Sequence, residues 1–163
     1  MAVHSKEREQ VWDITEKIGV CMLTTVAADG MRSRPMHATT DRDAGCLWFI
    51  TDRRGAKEDE INAAPEVCLA FAETSSNTYL SITGKAEMRR DPAKAEALWN
   101  REARAWWPKG ATDPDVRVLK VALEKAEYWD GRGNSITVAL KLAIARATGD
   151  RPHFDESTKV RIR

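Results

Sequence analysis

Six runs of alternating apolar and polar residues, most of them joined by very short connections, constrain this chain more than any other feature. The run YLSITGKAEM, residues 79–88, places Leu80 and Ile82 on one side and Ser81 and Thr83 on the other, which is the pattern of a half-buried strand. The connections AADG, DRDAG and SSNT are short and rich in turn formers, which predicts antiparallel hairpins. The predicted strands are 19–26, 31–40, 46–51, 66–73, 79–88 and a sixth from 116 to the turn DGRGN.

Helical segments interrupt these strands. The predicted helices are 5–18 with Ser5 as N-cap, a short helix capped by Asp52 that ends near Ala64, a helix that starts at Pro92 behind an Asp91 cap, and a closing helix marked by Ile136, Ala139, Leu140, Ala143 and Ile144. The elements together predict one domain over residues 1–148, of the α+β class and mainly β. Its core is a closed or nearly closed six-stranded antiparallel β-barrel with flanking helices. The tail, residues 149–163, is polar, and we expect it to be loosely held.

Charge balance and scattered cysteines and histidines exclude several classes of function. The chain carries 26 Lys and Arg against 25 Asp and Glu, so we expect no nucleic-acid partner. Three isolated cysteines and three isolated histidines show no metal-ligand spacing, so we expect reduced thiols and no metal. No apolar run reaches the length of a membrane helix and the first ten residues are mostly polar, so we expect a cytoplasmic protein with no membrane contact. The glycine-rich nucleotide loops and the G-x-S-x-G nucleophile turn are also missing from the sequence.

Cations gather in two segments, RSRPM at 32–36 and FITDRRGAK at 49–57. The second segment runs from a strand into the first turn of a predicted helix, where unpaired backbone N–H groups favour an anion. If strand 31–40 lies beside strand 46–51, Arg34 comes close to Lys57 at that helix start. A guanidinium that can fork onto two oxygens and a lysine that acts as a point charge make a phosphate site. The alternative is that these residues are ordinary solvated surface charge.

Several apolar residues near these cations can form walls around a flat ligand. Pro35 cannot donate a ladder hydrogen bond, which favours a position on a sheet edge, and Met36 can pack against an aromatic ring. Trp107 and Trp129 lie near strand ends, where they can cover a planar ligand by stacking. The alternative for Met36 and for both tryptophans is that they fill the hydrophobic core.

In this order, the segments RSRPM, LWFITDRRGAK, NAAPEVCLAF and YLSITGKAEM resemble the pyridoxamine 5′-phosphate oxidase-like flavin-binding split-barrel superfamily. The segments WWPKGATDPD and LKVALEKAEYWDG are similar to its general stress protein branch, and the resemblance extends over about residues 5–148. It implies a split barrel that forms a homodimer, with FMN bound in clefts between the two protomers. Carried over by position, it implies cofactor contacts at Ser33, Arg34, Pro35, Met36, Ile50, Thr51 and Lys57. Lys57 is then a phosphate ligand, Arg34 contacts the phosphate or the ribityl chain, and Ser33, Pro35 and Met36 line the ring.

Two departures from the family pattern bear on function. The oxidase usually has Ser-Arg-Lys where this chain has Gly55, Ala56 and Lys57, so we expect Arg53 or Arg54 to replace a phosphate arginine. The C-terminal R-x-H signature that binds pyridoxal phosphate in the oxidase has no counterpart in this sequence. The resemblance therefore implies FMN binding without implying pyridoxamine phosphate oxidase activity.

Residues and resemblance together predict an FMN-binding flavoprotein that acts as a flavin-dependent oxidoreductase on a substrate the sequence does not specify. Two alternatives stay open: a flavin sensor or store without turnover, and a split barrel that holds another cofactor such as a deazaflavin or haem. No catalytic residue is assigned. His37 is a candidate by residue type, but no residue is spaced to orient its imidazole.

Overall fold

Eight strands and five helices make up the described part of the chain. The computed structural model describes residues 3–131, 135–149 and 157–162. The strands are β1 (Val20–Ala27), β2 (Gly30–His37), β3 (Thr39–Asp41), β4 (Cys46–Asp52), β5 (Glu66–Glu73), β6 (Thr78–Arg89), β7 (Val116–Asp130) and β8 (Thr158–Arg161). The helices are α1 (Val3–Ile18), α2 (Lys57–Ala63), α3 (Pro92–Leu98), α4 (Arg101–Trp106) and α5 (Ser135–Thr148). The α+β, mainly antiparallel β class is confirmed, with two more strands than the six expected.

All strands join one antiparallel sheet in the order β2-β1-β5-β6-β7-β4-β3, with β8 added beside β7. The sheet curls until β2 and β4 contact each other, but no ladder hydrogen bonds join them. The barrel is therefore split along the line between these two strands. β2 is a terminal strand of the order, which agrees with the edge position that Pro35 favours.

Alternating residues fill the interior of the barrel. Leu80, Ile82, Ala86 and Met88 of β6 are buried there, while their neighbours along the strand face outward. Gly84 lies in this inward row, beside an irregularity in the pairing of β6 with β7. A Cβ on Gly84 would lie 2.3 Å from the carbonyl oxygen of Ala122, so the two strands approach closely only because residue 84 has no side chain.

Helices cover part of the remaining surface. α1 buries Val11, Trp12 and Ile14 in the barrel core. α3, which begins at Pro92 with Asp91 accepting from the Lys94 N–H at 2.9 Å, packs on the outer side of β4 and β7. A second apolar cluster forms there, and it consists of Cys46, Trp48, Ala95, Ala111, Val116 and Val118.

Among the described residues, no element covers the outer side of the sheet beyond these helices. Residues of β1, β5, β6 and β7 lie in register across it, with Met22 opposite Ala70 and Tyr79 opposite both Ala72 and Trp129. We call this surface the open face; its large apolar members and their exposed fractions are Val20 (48%), Met22 (41%), Tyr79 (38%) and Trp129 (36%). Neighbouring apolar side chains on one surface are typical of an interaction site.

Two sequence predictions about strands and their ends are wrong. The strand expected at 31–40 breaks at Ala38, whose N–H donates to the carbonyl of Gly19 at 2.8 Å. β2 therefore pairs only with β1, and the short β3 is the part of the predicted strand that pairs with β4. The tail is not loose throughout, since β8 pairs with β7 and buries Val160.

The helix predictions have a mixed outcome. α1, α3 and α5 are found where the sequence predicts helices. α2 begins at Lys57 behind Ala56, and Asp52 is not its cap, because the Asp52 carboxylate binds Arg54 instead. α4 occupies a segment predicted as a loop, with Asn100 as its cap. No helix among the described residues is both long and apolar enough to cross a membrane.

Candidate functional site

A cleft of about 410 Å³ lies where the barrel is split. β2, β4 and α4 supply its walls, so the elements that fail to close the barrel are the ones that form the cavity. Its volume falls in the range of small-molecule and cofactor sites. The lining residues are Pro35, Met36, His37, Thr39, Ile50, Thr51, Asp52, Arg54, Asn100, Glu102, Ala103, Trp106 and Trp107.

Two open strand edges form the two long walls. β3 pairs with β4 only as far as Trp48, so the edge of β4 from Ile50 to Asp52 faces the cleft without a neighbouring strand. The edge of β2 faces it from the other side with Pro35 and Met36. Apolar side chains of both walls lie beside the unpaired backbone edges of their strands. This arrangement suits a flat heterocycle with polar atoms on its rim.

α4 forms the third wall and is fixed by polar contacts. Its cap, Asn100, accepts a hydrogen bond from the Ala103 N–H at 2.8 Å. Trp107, just after the helix, lies with its ring centroid 6.3 Å from that of Trp99 and donates its indole N–H to Asp52 at 3.3 Å. Hydrogen bonds from Arg54 lower the pKa of Asp52 to about 2, so this carboxylate is charged and holds Trp107 against the cleft at neutral pH.

A pair of cations lies beside Thr51 of the cleft wall. The ammonium of Lys57, in the first turn of α2, is hydrogen-bonded to the Thr51 hydroxyl. Arg34 donates from Nη1 to Thr25 at 2.7 Å and from Nη2 to Glu60 at 2.8 Å. Burial lowers the pKa of Lys57, and the nearby positive charge of Arg34 lowers it further. The negative charges of Asp52 and Glu60 act in the opposite direction, and an anion bound next to both cations would stabilise them further.

Arg53 and Arg54, like Arg34, have acidic partners. Arg53 pairs with Asp115 at 2.9 Å, and Arg54 pairs with Asp52 at 2.6 Å. Both side chains are largely exposed. Unlike Arg34, neither one shifts the pKa of Lys57, which gives no support to the expectation that either replaces a phosphate arginine beside Lys57.

The nine residues predicted from the sequence fall into three groups. Pro35, Met36, Ile50, Thr51 and Trp107 line the cleft, and Arg34 and Lys57 lie next to it. The remaining two residues, Ser33 and Trp129, do not line the cleft. Ser33 forms a hydrogen bond at 2.7 Å with Thr24, and Trp129 lies on the open face near the far end of β7.

Sequence reasoning missed several residues of the site. Asn100, Glu102 and Trp106 reach the cleft because α4 is a helix, and the signal for that helix was an Asn in the N-cap position before Arg-Glu-Ala. Glu60 follows Lys57 by three positions on α2, which places both on one helix face. His37 lines the cleft, but no hydrogen bond among the described residues orients its ring.

Comparison with known proteins gives a consistent result. The family model described as "Pyridoxamine 5'-phosphate oxidase like" matches residues 6–153. A pyridoxine/pyridoxamine 5'-phosphate oxidase of Caulobacter vibrioides is 35% identical over 82 residues, which cover 50% of this chain and 36% of the oxidase. This match thus spans about a third of the length of that curated relative.

Solved structures match over a larger share of the chain. A candidate general stress protein 26 from Jannaschia sp. CCS1 has a TM-score of 0.73 and 27% identity, covering 97% of this chain and 99% of the other. A general stress FMN/FAD binding protein from Xanthomonas citri has a TM-score of 0.70 and 28% identity, covering 80% of this chain and 92% of the other.

Proposed function

The chain belongs to the pyridoxamine 5'-phosphate oxidase-like family, and from that premise we propose that it binds FMN in the cleft of its split barrel. The observation that carries this proposal is the proximity of the Arg34 and Lys57 charges at the margin of the cleft, where Lys57 contacts Thr51 of the cleft wall. FMN consists of a planar ring, a ribityl chain and a phosphate, and the site offers cations for the phosphate and the apolar side chains of Pro35, Met36 and Ile50 for the ring. The FMN/FAD binding described for the Xanthomonas citri relative supports the same cofactor.

Each group of residues has a separate task in this proposal. Arg34 and Lys57 bind the phosphate, and Thr51 lies between them and the ring-binding part of the cleft. Pro35, Met36 and Ile50 hold the ring, and Trp107 shields it from water. Bound FMN would supply electron transfer, accepting electrons from one substrate and passing them to another.

We further propose that the protein works as a homodimer through its open face. Trp129 lies on that face, outside the cleft of its own protomer. The apolar side chains there have no covering element among the described residues, and a second copy would bury them. In that arrangement Trp129 and Ser33 could contribute to the partner's flavin site, which would explain why neither reaches the cleft of its own chain.

The activity we propose is that of a flavin-dependent oxidoreductase. The residues of the cleft bind and shield the flavin, and among those described none forms an oriented acid–base pair with His37. The missing R-x-H signature leads us to leave pyridoxamine 5'-phosphate out of the proposal. Because no oriented proton-transfer group is found, a role in binding flavin without turnover is the second candidate.

Reduction and reoxidation of the bound cofactor distinguish these two candidates. The purified protein is loaded with FMN and mixed with NADH or NADPH in air, and the flavin absorbance is followed. Bleaching with continued consumption of the nicotinamide, at a rate above that of the same FMN concentration without protein, supports the oxidoreductase. Bound flavin that neither reductant bleaches contradicts turnover with these donors and favours the binding role.

A further inference from the structure

Glu60 is a buried carboxylate next to the cation pair, and the phosphate site described above does not use it. Its side chain is only 6% exposed. Its Oε2 accepts from the Thr25 hydroxyl at 2.6 Å and from Nη2 of Arg34 at 2.8 Å. Its Oε1 is buried without a hydrogen-bond partner and lies 3.7 Å from Nη1 of Arg32. A buried charge costs free energy unless it is paired and hydrogen-bonded, and one oxygen of this carboxylate has no hydrogen bond.

The contacts of Glu60 form a closed arrangement behind the guanidinium. Thr25 donates to Glu60 and also accepts from Nη1 of Arg34 at 2.7 Å. The three side chains thus bind one another in a ring, and Thr25 is fully buried. A guanidinium held at two nitrogens has little freedom to rotate, because both contacts would break together.

The rest of the guanidinium stays available. Arginine has five N–H donors, and within the described residues only one hydrogen of Nη1 and one of Nη2 are used. The side chain of Arg34 is 24% exposed, so the remaining donors can reach a ligand. Two oxygens of a phosphate could accept from these donors without displacing Thr25 or Glu60.

We propose that Glu60 is a positioning residue that, together with Thr25, fixes the guanidinium of Arg34 for the phosphate of the flavin. This inference rests on the proposed FMN site. A negative charge beside a phosphate site is by itself repulsive, so its simple removal would strengthen phosphate binding. Positioning has the opposite effect, because a mobile guanidinium loses its orientation and must be ordered again on binding.

Charge repulsion and positioning are distinguished by measuring the affinity for FMN and for riboflavin, which lacks the phosphate. The readout is the ratio of the two dissociation constants, obtained by titrating flavin-free protein and following flavin fluorescence. We expect Glu60→Ala to reduce the preference for FMN about 10-fold, a loss typical of removing an outer partner that orients a ligand-binding side chain. Glu60→Gln keeps an oxygen that accepts from Thr25 and Arg34, so we expect it to stay within about threefold of the wild type.

Arg34 provides a second test with the opposite sign. In an Arg34→Ala background nothing remains to be positioned, so the further change Glu60→Ala should leave the FMN preference unchanged or increase it. If both changes reduce the preference independently, or if Glu60→Ala alone leaves it unchanged or increases it, the proposal is overturned. If the Glu60→Ala variant does not fold, the Thr25→Val variant tests the proposal instead. It removes the hydroxyl with little change in shape, and an unchanged preference in that variant overturns the proposal.

A matched control checks that the effect is not due to lost charge on α2. Glu58 pairs with Arg117 at 3.4 Å and forms no ion pair with Arg34, so Glu58→Gln should keep the preference for FMN. An equal loss in Glu58→Gln overturns the positioning role. A wild-type protein with no preference for FMN would refute the proposed function itself. A wild-type preference that Arg34→Ala abolishes and Glu60→Ala does not reduce would refute only the role of Glu60.

Discussion

Replacing Lys57 by methionine separates its role in ligand binding from its role in folding. Methionine keeps most of the apolar stem and removes the charge. In the flavin-free protein, the variant removes a partly buried ammonium whose pKa is lowered by burial and by Arg34. It also removes the hydrogen bond with Thr51, which costs roughly 0.5–1.5 kcal/mol. Because these effects oppose each other, we expect the free energy of unfolding without ligand to change by less than about 1 kcal/mol.

FMN binding should change much more. A charge-assisted hydrogen bond to a phosphate contributes about 1.5–3 kcal/mol. Its loss corresponds to a roughly 10- to 150-fold higher dissociation constant for FMN. Riboflavin affinity should stay within about threefold of the wild type, because only the phosphate contacts the ammonium. In thermal unfolding at a fixed excess of FMN, each tenfold loss of affinity removes about 1.4 kcal/mol of ligand stabilisation.

The assay compares the wild type, Lys57→Met and the control Lys6→Met, whose side chain is exposed on α1. Fluorescence titration gives both flavin affinities, and denaturant unfolding without flavin gives the stability. Lys6→Met should match the wild type in all three measurements. If Lys57→Met destabilises the empty protein by several kcal/mol while FMN affinity is unchanged, Lys57 is a structural residue and the phosphate site is wrongly assigned.

Three further predictions concern pH, packing and assembly. Because the pKa of Lys57 is lowered from 10.5, the preference for FMN over riboflavin should be constant from about pH 7, above the second phosphate pKa of about 6, and fall as the pH rises through that lowered pKa; Lys57→Arg, which stays charged, should remove this fall, and titrations across this pH range check it. Gly84→Ala should destabilise the protein by more than about 2 kcal/mol in denaturant unfolding, since its Cβ would lie 2.3 Å from the Ala122 oxygen; an unchanged midpoint contradicts the close approach of β6 and β7. Cys68 is partly buried beside the open face, whereas burial raises the pKa of Cys21 to about 12, so a thiol reagent should modify Cys68 before Cys21. If a dimer forms through the open face, the modification of Cys68 should become slower as the protein concentration is raised. A rate of modification that does not depend on protein concentration argues against assembly through this face.

The sequence predicts the barrel well because its evidence is local. Alternation along β6 and the short turns between strands identify hairpins without knowledge of distant contacts. The pairing of 31–40 with 46–51 is right for Thr39 and Thr40 and wrong for residues 31–37, because a short turn indicates a hairpin and cannot show that Ala38 breaks the strand. Arg34 still lies close to Lys57, since the curled sheet places the edge of β2 across the cleft from β4.

The parts of the site that the sequence does not predict depend on tertiary contacts. Glu60 and Thr25 are 35 positions apart, and neither residue type in its local pattern indicates a contact with Arg34. The α4 wall depends on a helix of six residues, which is too short for a clear apolar period. Trp129 has strong stacking potential by residue type, but only the register of β7 shows that it lies on the open face.

The absorbance spectrum of the purified protein tests the central claim most directly. The protein is incubated with excess FMN, separated from unbound flavin by gel filtration and scanned across the visible range. We predict flavin bands that elute with the protein at about one FMN per chain, and their loss when the same procedure is carried out with Arg34→Ala. A colourless wild-type protein peak after this treatment would contradict the assignment of the cleft as an FMN site.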